Sequence, residues 1–226
     1  MKNKNYIIAI DGVAATGKSV LARTISQRLN ILYIDTGAMY RAVGMFFIQN
    51  NIEINEENVL KNIDNINVKL KYKDDNTLTY LNNIDVSNYI RSEEISMAAS
   101  AVSKYKQVRE KLVALQRNMA IEQSVVLEGR DVSSVVFPQA DLKIFLTASV
   151  DVRALRRQKD LKETNQIVDL ETIKKALQKR DEQDITRDES PLIKVNDAIE
   201  IDTTNLSKVQ TVELVIELLN ERIGLI

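Results

Sequence analysis

The chain has no cysteine in its 226 residues, so disulfides and thiolate chemistry are excluded and a reducing compartment suits it. Histidine is absent too. That removes Ser-His-Asp hydrolysis, histidine-ligated metal centres and phosphohistidine chemistry together. Any catalysis must draw on carboxylates, cations and backbone amides. Lysine and arginine total 31 against 32 aspartates and glutamates, a formal net charge of −1. No basic excess is left to favour nucleic acid or an anionic membrane, and neither is expected as a partner. No apolar run approaches the ~20 residues of a membrane-spanning helix, and the opening MKNKNYIIAIDG lacks the apolar core of a signal segment. A soluble, cytoplasmic protein is the expectation. Only 2 prolines and 6 glycines punctuate the chain, and no repeat or low-complexity linker divides it.

Hydrophobic residues make up 44%, enough for a proper core in one domain with an insertion or in two small domains. Short apolar runs at Tyr6–Ile10, Ile31–Ile34, Val125–Leu127, Lys143–Leu146 and Ala198–Ile201 read as buried parallel strands. Helical spacing lies between them: Leu21, Ile25 and Leu29 recur at every fourth position, and Val209, Val212, Ile216 and Leu219 mark a last helix. This alternation predicts an α/β fold with a doubly wound, five-stranded parallel sheet. One segment departs from it. In NVKLKYKDDNTLTYLNNIDVS, Val68, Leu70 and Tyr72 alternate with Lys69, Lys71 and Lys73, and turn signals at Asp74–Asn76 and Asn82–Asn83 flank Leu78 and Tyr80. Period two predicts a small antiparallel sheet, either a structural flap or a lid over an acceptor substrate. The expected boundaries are 1–62 and 91–226 for the core and 63–90 for the insertion. From Glu93 to Ala120, spacings of three and four through Ile95, Ala98, Val102, Tyr105, Val108, Leu112, Leu115 and Met119 predict helix with a core-facing stripe.

Gly12-Val13-Ala14-Ala15-Thr16-Gly17-Lys18-Ser19 matches G-x-x-x-x-G-K-[ST] without a gap, after an apolar strand and before an amphipathic helix. Small residues let the backbone wrap an anion with its N–H groups inward, and the helix start adds its positive end. The whole run, with Val20 next along the helix, is expected to bind ATP. Lys18 is placed to reach the β- and γ-phosphates, and the Ser19 hydroxyl to sit beside Mg²⁺. The motif names a nucleoside triphosphate but not its use. Neither an N-K-x-D base reader nor a D-x-x-G switch is convincingly placed, which argues against a switch GTPase. Instead, arginines lie in short acidic and polar motifs: YIDTGAMYR with Arg41, VVLEGRDVSSVVFP with Arg130 and Asp131, and KRDEQDITRDESP with Arg180, Asp184 and Arg187. Two of these sets follow predicted strands, at the sheet edge where ligands bind in doubly wound folds. They suit a second anion beside the γ-phosphate.

The order GxxxxGKS, DTGAMYR, the β insertion, AASAVSKYKQVREKLVALQR, EGRD, VVFP and RDxxDxxR resembles the bacterial cytidylate (CMP/dCMP) kinases over nearly the whole chain. The resemblance implies an ATP-dependent (d)CMP kinase of pyrimidine metabolism, acting as a monomer. It implies that Arg41, Arg130 and Arg187 clamp the acceptor monophosphate, that Ser100, Arg109 and Asp131 read cytosine, and that Thr36 and Asp184 hold the sugar. It favours the lid reading of the insertion and suggests a second, ATP-side helical lid over about 151–167, where Arg153 and Arg156 could equally form an exposed helix face. Lys18, Arg130, Arg157, Arg180 and Arg187 are the candidate catalytic residues, with Arg157 and Arg180 neutralising charge on the phosphoryl group in flight. Ser100 and Arg109 are nine residues apart, on opposite faces of one straight helix at about 100° per residue. Both can face cytosine only if the helix breaks, which is expected around Ser103–Lys106. The chain departs from the family pattern at Glu128, commonly Asp, at Ser133–Ser134, commonly Gly-Thr, and at Val20, commonly Thr. Two alternatives stand beside this reading. One is another small-molecule kinase, with Asp35 as the base a hydroxyl acceptor requires; the other is a nucleotide-binding regulator with little turnover.

Overall fold

The computed structural model describes residues 5–73, 76–163 and 165–224, so Asp74 and Asp75 of the expected turn and residue 164 of the expected lid lie outside it. In chain order the elements are β1 (Ile7–Gly12), α1 (Lys18–Leu29), β2 (Leu32–Asp35), α2 (Thr36–Gln49), α3 (Glu56–Asn62), β3 (Val68–Lys73), β4 (Asn76–Leu81) and β5 (Ile84–Asp85). There follow α4 (Glu93–Val102), α5 (Lys106–Met119), β6 (Val125–Glu128), β7 (Leu142–Thr147), α6 (Val150–Glu163), α7 (Leu170–Thr186), β8 (Ile199–Asp202) and α8 (Lys208–Ile223). Five strands form one parallel sheet in the order β2-β6-β1-β7-β8, as the strand–helix alternation predicts. Tyr6, Ile31 and Ala198 fall just outside their strands, because each ladder begins and ends further along the chain than its apolar run.

Strand residues alternate between two buried layers. Ile8, Ile10, Tyr33 and Val126 pack with α1 and α8 through Leu21, Ile25, Val212 and Val215. Ala9, Ile34, Val125 and Leu127 face the opposite layer, which is built from α2, α4 and α5. Both faces are thus covered, which is why the strands read as unbroken apolar runs. In the second layer α2 and α4 pack closely at Gly44, where an added Cβ would lie 2.9 Å from the Ala98 backbone. The insertion β3–β5 is a separate antiparallel sheet, with Val68 opposite Leu81 and Leu81 opposite Ile84. Asn82 and Asn83, at φ +48° and +69°, make the two-residue turn their composition predicts. Its apolar residues Val68, Leu81, Val86 and Ile90 join the cluster formed by α2, α4 and α5. The helix break is found where expected, between Val102 and Lys106. Among the described residues, no helix is long and apolar enough to cross a membrane.

Candidate active site

All core strands run parallel, so their carboxyl ends share one edge. β1 delivers the loop Gly12–Ser19 there. Ala15 and Gly17, at φ +60° and +97°, turn it left-handed, the kind of bend that gathers successive N–H groups into an anion nest. No side chain caps the start of α1, which keeps its first N–H groups free for a ligand. Lys18 is buried, and its Nζ donates to the Val13 carbonyl at 2.6 Å. Burial, and then the charge of Arg130, lowers its pKa to about 7. Ser19 is half-buried, whereas Val20 is exposed.

Helices α6 and α7 brace this loop from behind. Arg153 donates from Nη1 to Asp181 at 2.5 Å and to the Ala14 carbonyl at 3.2 Å, and from Nε to the Ala148 carbonyl at 3.0 Å. Asp181 in turn accepts from the Ala14 N–H at 3.1 Å. Arg156 donates to the Thr16 carbonyl at 3.3 Å and to the Thr203 carbonyl at 2.7 Å. These contacts correct the exposed-face reading of Arg153 and Arg156. Each guanidinium is spent on loop backbone, and Arg153 is fully enclosed.

At the end of β2, Asp35 caps α2 by accepting from the Ala38 N–H at 2.8 Å. The buried Thr36 hydroxyl donates to the Glu128 carbonyl at 2.7 Å, tying β2 to β6. The Glu128 carboxylate accepts from the Tyr33 hydroxyl at 2.7 Å, and the Ser19 side chain is near enough to favour its charged form. Burial, then the like charge of Asp35, raises the Glu128 pKa. Burial likewise lifts the Tyr33 phenol well above its ordinary value, so it remains a donor. Tyr33 thus orients the longer carboxylate arm that stands where the family pattern has aspartate.

At the end of β6 the Gly-Arg-Asp turn meets α5 and α7. Asp11, buried at the end of β1, accepts from the Val132 N–H at 2.9 Å, the Ser133 N–H at 2.7 Å and the Ser133 hydroxyl. It anchors the π-helical turn Val132–Val136 that follows Arg130 and Asp131. Arg130 Nε donates to Asp184 at 2.7 Å. Arg109 pairs with Asp131, donates to the Ser103 carbonyl at 3.3 Å and lies 5.5 Å from the Tyr40 ring centre. Arg187 stands 3.8 Å from Asp131 and 4.0 Å from Asp184. The break between α4 and α5 is therefore part of the site: it supplies the Ser103 carbonyl that holds Arg109, while Ser100 sits half-buried on the last turn of α4. Burial opposes ionisation of Asp184, but Arg130, Arg180 and Arg187 together hold its carboxyl below the usual range.

Arg180 is half-buried beside Arg130 and Arg41, and desolvation followed by the Arg130 charge brings its pKa down to about 10. Arg41 Nε and Arg187 Nη2 are buried without a hydrogen-bond partner. Buried guanidinium N–H groups without a hydrogen-bond partner are what a bound polyanion would satisfy. Arg157 does not join this cluster. Its Nη2 lies 3.6 Å from Glu93 at the start of α4, and its side chain is 37% exposed. Sequence reading assigned no role to Asp11, Tyr33, Tyr40, Asp181 or Ser190. All five lie in stretches that carry the motifs: Asp11 in the strand entering the phosphate loop, Tyr33 and Tyr40 in YIDTGAMYR, Asp181 and Ser190 in KRDEQDITRDESP.

A protein-family model described as cytidylate kinase matches residues 8–221. A cytidylate kinase of Geobacillus sp. (strain WCH70) is 47% identical over 99% of this chain and 100% of its own length. One from Caldicellulosiruptor saccharolyticus is 43% identical over 98% of both. A bifunctional pantoate ligase/cytidylate kinase of Prochlorococcus marinus (strain MIT 9312) is 45% identical over 99% of this chain, which spans 44% of that longer protein. Similarity of this extent, running from β1 into α8, makes the chain a member of the cytidylate kinase family.

Proposed function

We propose that the chain moves the γ-phosphoryl group of ATP onto the phosphate of CMP or dCMP, giving ADP and CDP or dCDP. The observation that carries this is a cluster of guanidinium groups: Arg130 and Arg180 lie close enough to Lys18 to lower its pKa, and Arg41 Nε and Arg187 Nη2 are buried without a hydrogen-bond partner. Gly12–Ser19 would hold the donor phosphates. Arg41, Arg130 and Arg187 would grip the acceptor phosphate through rigid bidentate donors. Asp131 would accept from the exocyclic amine of cytosine, where uracil offers a carbonyl that a carboxylate rejects. Thr36 and Asp184 would hold the sugar, Asp184 while paired with Arg130.

The nucleophile is an oxygen of the acceptor phosphate, whose second pKa is about 6, so it is ionised at neutral pH and no general base is required. Alignment and charge stabilisation by Lys18, Arg130, Arg180 and Arg187 then supply the acceleration. The Ser19 hydroxyl and the Glu128 carboxylate are hard oxygen donors, and they fit Mg²⁺. Among the described residues no cluster could hold a metal unaided, in keeping with an ion shared with the nucleotide phosphates. Mg²⁺ would supply neutralisation of the β- and γ-phosphate charge. The hydroxyl-acceptor reading is weaker, because Asp35 is buried and committed to capping α2.

A coupled assay with CMP, UMP, AMP and cytidine at equal concentration is expected to favour CMP. Arg130→Ala is expected to lower kcat on the order of 10²-fold and to weaken retention of labelled CMP in equilibrium dialysis. Equal retention by both proteins would remove Arg130 from the site.

A further inference from the structure

Ser190 lies between α7 and β8 at φ +51°, a left-handed conformation uncommon for serine and further restricted by Pro191 after it. Strain of this kind persists where surrounding contacts enforce it, and here they are specific. The Ser190 hydroxyl accepts from Arg109 Nε at 3.0 Å, and its carbonyl accepts from Arg187 Nε at 2.7 Å. The neighbouring Leu192 N–H donates to the Asp184 carbonyl at 2.7 Å, pinning this stretch to the end of α7. One residue therefore holds the inner nitrogens of two guanidiniums whose outer nitrogens face Asp131.

We propose that Ser190 is a positioning residue that couples the base-facing Arg109 to the phosphate-facing Arg187. This rests on the roles assigned to those arginines in the proposed function. A guanidinium is a rigid planar fork, so holding its Nε fixes the plane and with it the direction of both Nη groups. The Ser190 hydroxyl thereby sets the plane in which Arg109 and Asp131 meet the pyrimidine. The Ser190 carbonyl fixes Arg187, whose Nη2 is buried without a hydrogen-bond partner. Seating of the base and seating of the phosphate are thus mechanically joined through one short loop, and a pyrimidine that misplaces Arg109 also loosens the phosphate grip.

The test uses the full chain with Ser190→Ala, Ser190→Gly, Arg109→Met and the Ser190→Ala/Arg109→Met double variant. Steady-state constants are measured for CMP, UMP and ATP, with a melting curve for each protein. Both Ser190 variants are expected to raise KM for CMP about tenfold, the scale of one hydrogen bond to a charged group. Preference for CMP over UMP should narrow, with KM for ATP unchanged. Equal loss in Ala and Gly identifies the hydroxyl as the cause, because Gly also relieves the left-handed backbone. In the Arg109→Met background, Ser190→Ala should add nothing. Normal CMP kinetics in both Ser190 variants, or an undiminished Ser190 effect without Arg109, would overturn the coupling while leaving the site assignment standing. Normal CMP kinetics in Arg109→Met itself would overturn the site assignment and the coupling with it.

Discussion

Lys18 is the side chain whose charge depends most on what fills the site. Buried, and beside Arg130, it has a pKa of about 7 rather than the ordinary 10.5. A polyphosphate next to Nζ favours the charged form and pushes the pKa back up. Between about 7 and 10.5, binding of ATP must therefore take up a proton. Affinity falls as pH rises through that window, by up to about tenfold per unit, and is level below it as far as Lys18 is concerned. Calorimetry at pH 8 in two buffers of different ionisation enthalpy should show net proton uptake on ATP binding, absent in Lys18→Met. A pH 8 binding heat independent of buffer would show that Lys18 is already charged in the free protein.

At the scale of elements, α6 and α7 are less a free lid than a brace. Arg153 and Asp181 clamp both the N–H and the carbonyl of Ala14, and Ala14 itself sits in a small cluster with Ala154, Ile173 and Leu177. Asp181→Ala would leave Arg153 buried without its counter-charge and Ala14 without its acceptor. Losing one partner of a buried pair costs about 3–5 kcal/mol, readable as a lower urea midpoint at unchanged slope. KM for ATP should rise more than KM for CMP. The sequence marks Asp181 within RDxxDxxR and Arg153 within a lid or an exposed helix face, but not the clamp the two form on Ala14. The phosphate loop, the Arg-Asp turn after β6 and the DxxR spacing on α7 are each written within a dozen consecutive residues, so local chemistry reveals them. The helix break followed from two roles that one straight helix cannot serve. The pairing of Arg153 with Asp181, by contrast, spans 28 residues, and only the packing of α6 against α7 over the loop brings the two together. Ser190 likewise reads as a turn residue before proline until the fold brings Arg109 to it.

At the scale of the whole molecule, the insertion has no core apart from the rest. Val68, Leu81 and Val86 share a buried cluster with Met39, Val102 and Leu112, and Thr77 donates to the Tyr33 carbonyl at 3.0 Å. Any closing motion over the acceptor must therefore carry α2 and α4 along with the small sheet. On the opposite side α6 is fastened to the phosphate loop through Arg153 and Arg156. The two sides meet where Arg157 of α6 faces Glu93 of α4 at 3.6 Å, and Glu93 also acts on the charge of Arg180. Glu93 thus stands between two arginines proposed to neutralise the phosphoryl group in flight. An exposed ion pair of this kind contributes little to stability, so a phosphate dianion can draw Arg157 away from Glu93 at small cost. Arg157→Ala should lower kcat on the order of 10²-fold, with the melting temperature and KM for CMP nearly unchanged, because the arginine acts only when both nucleotides are seated. Glu93→Gln should keep kcat, since it removes a competitor for Arg157 rather than a partner in the reaction. Stopped-flow single turnovers on the two variants separate these effects from product release. A wild-type single-turnover rate in Arg157→Ala would confine Arg157 to the surface pair with Glu93 and leave charge neutralisation to Lys18, Arg130 and Arg180.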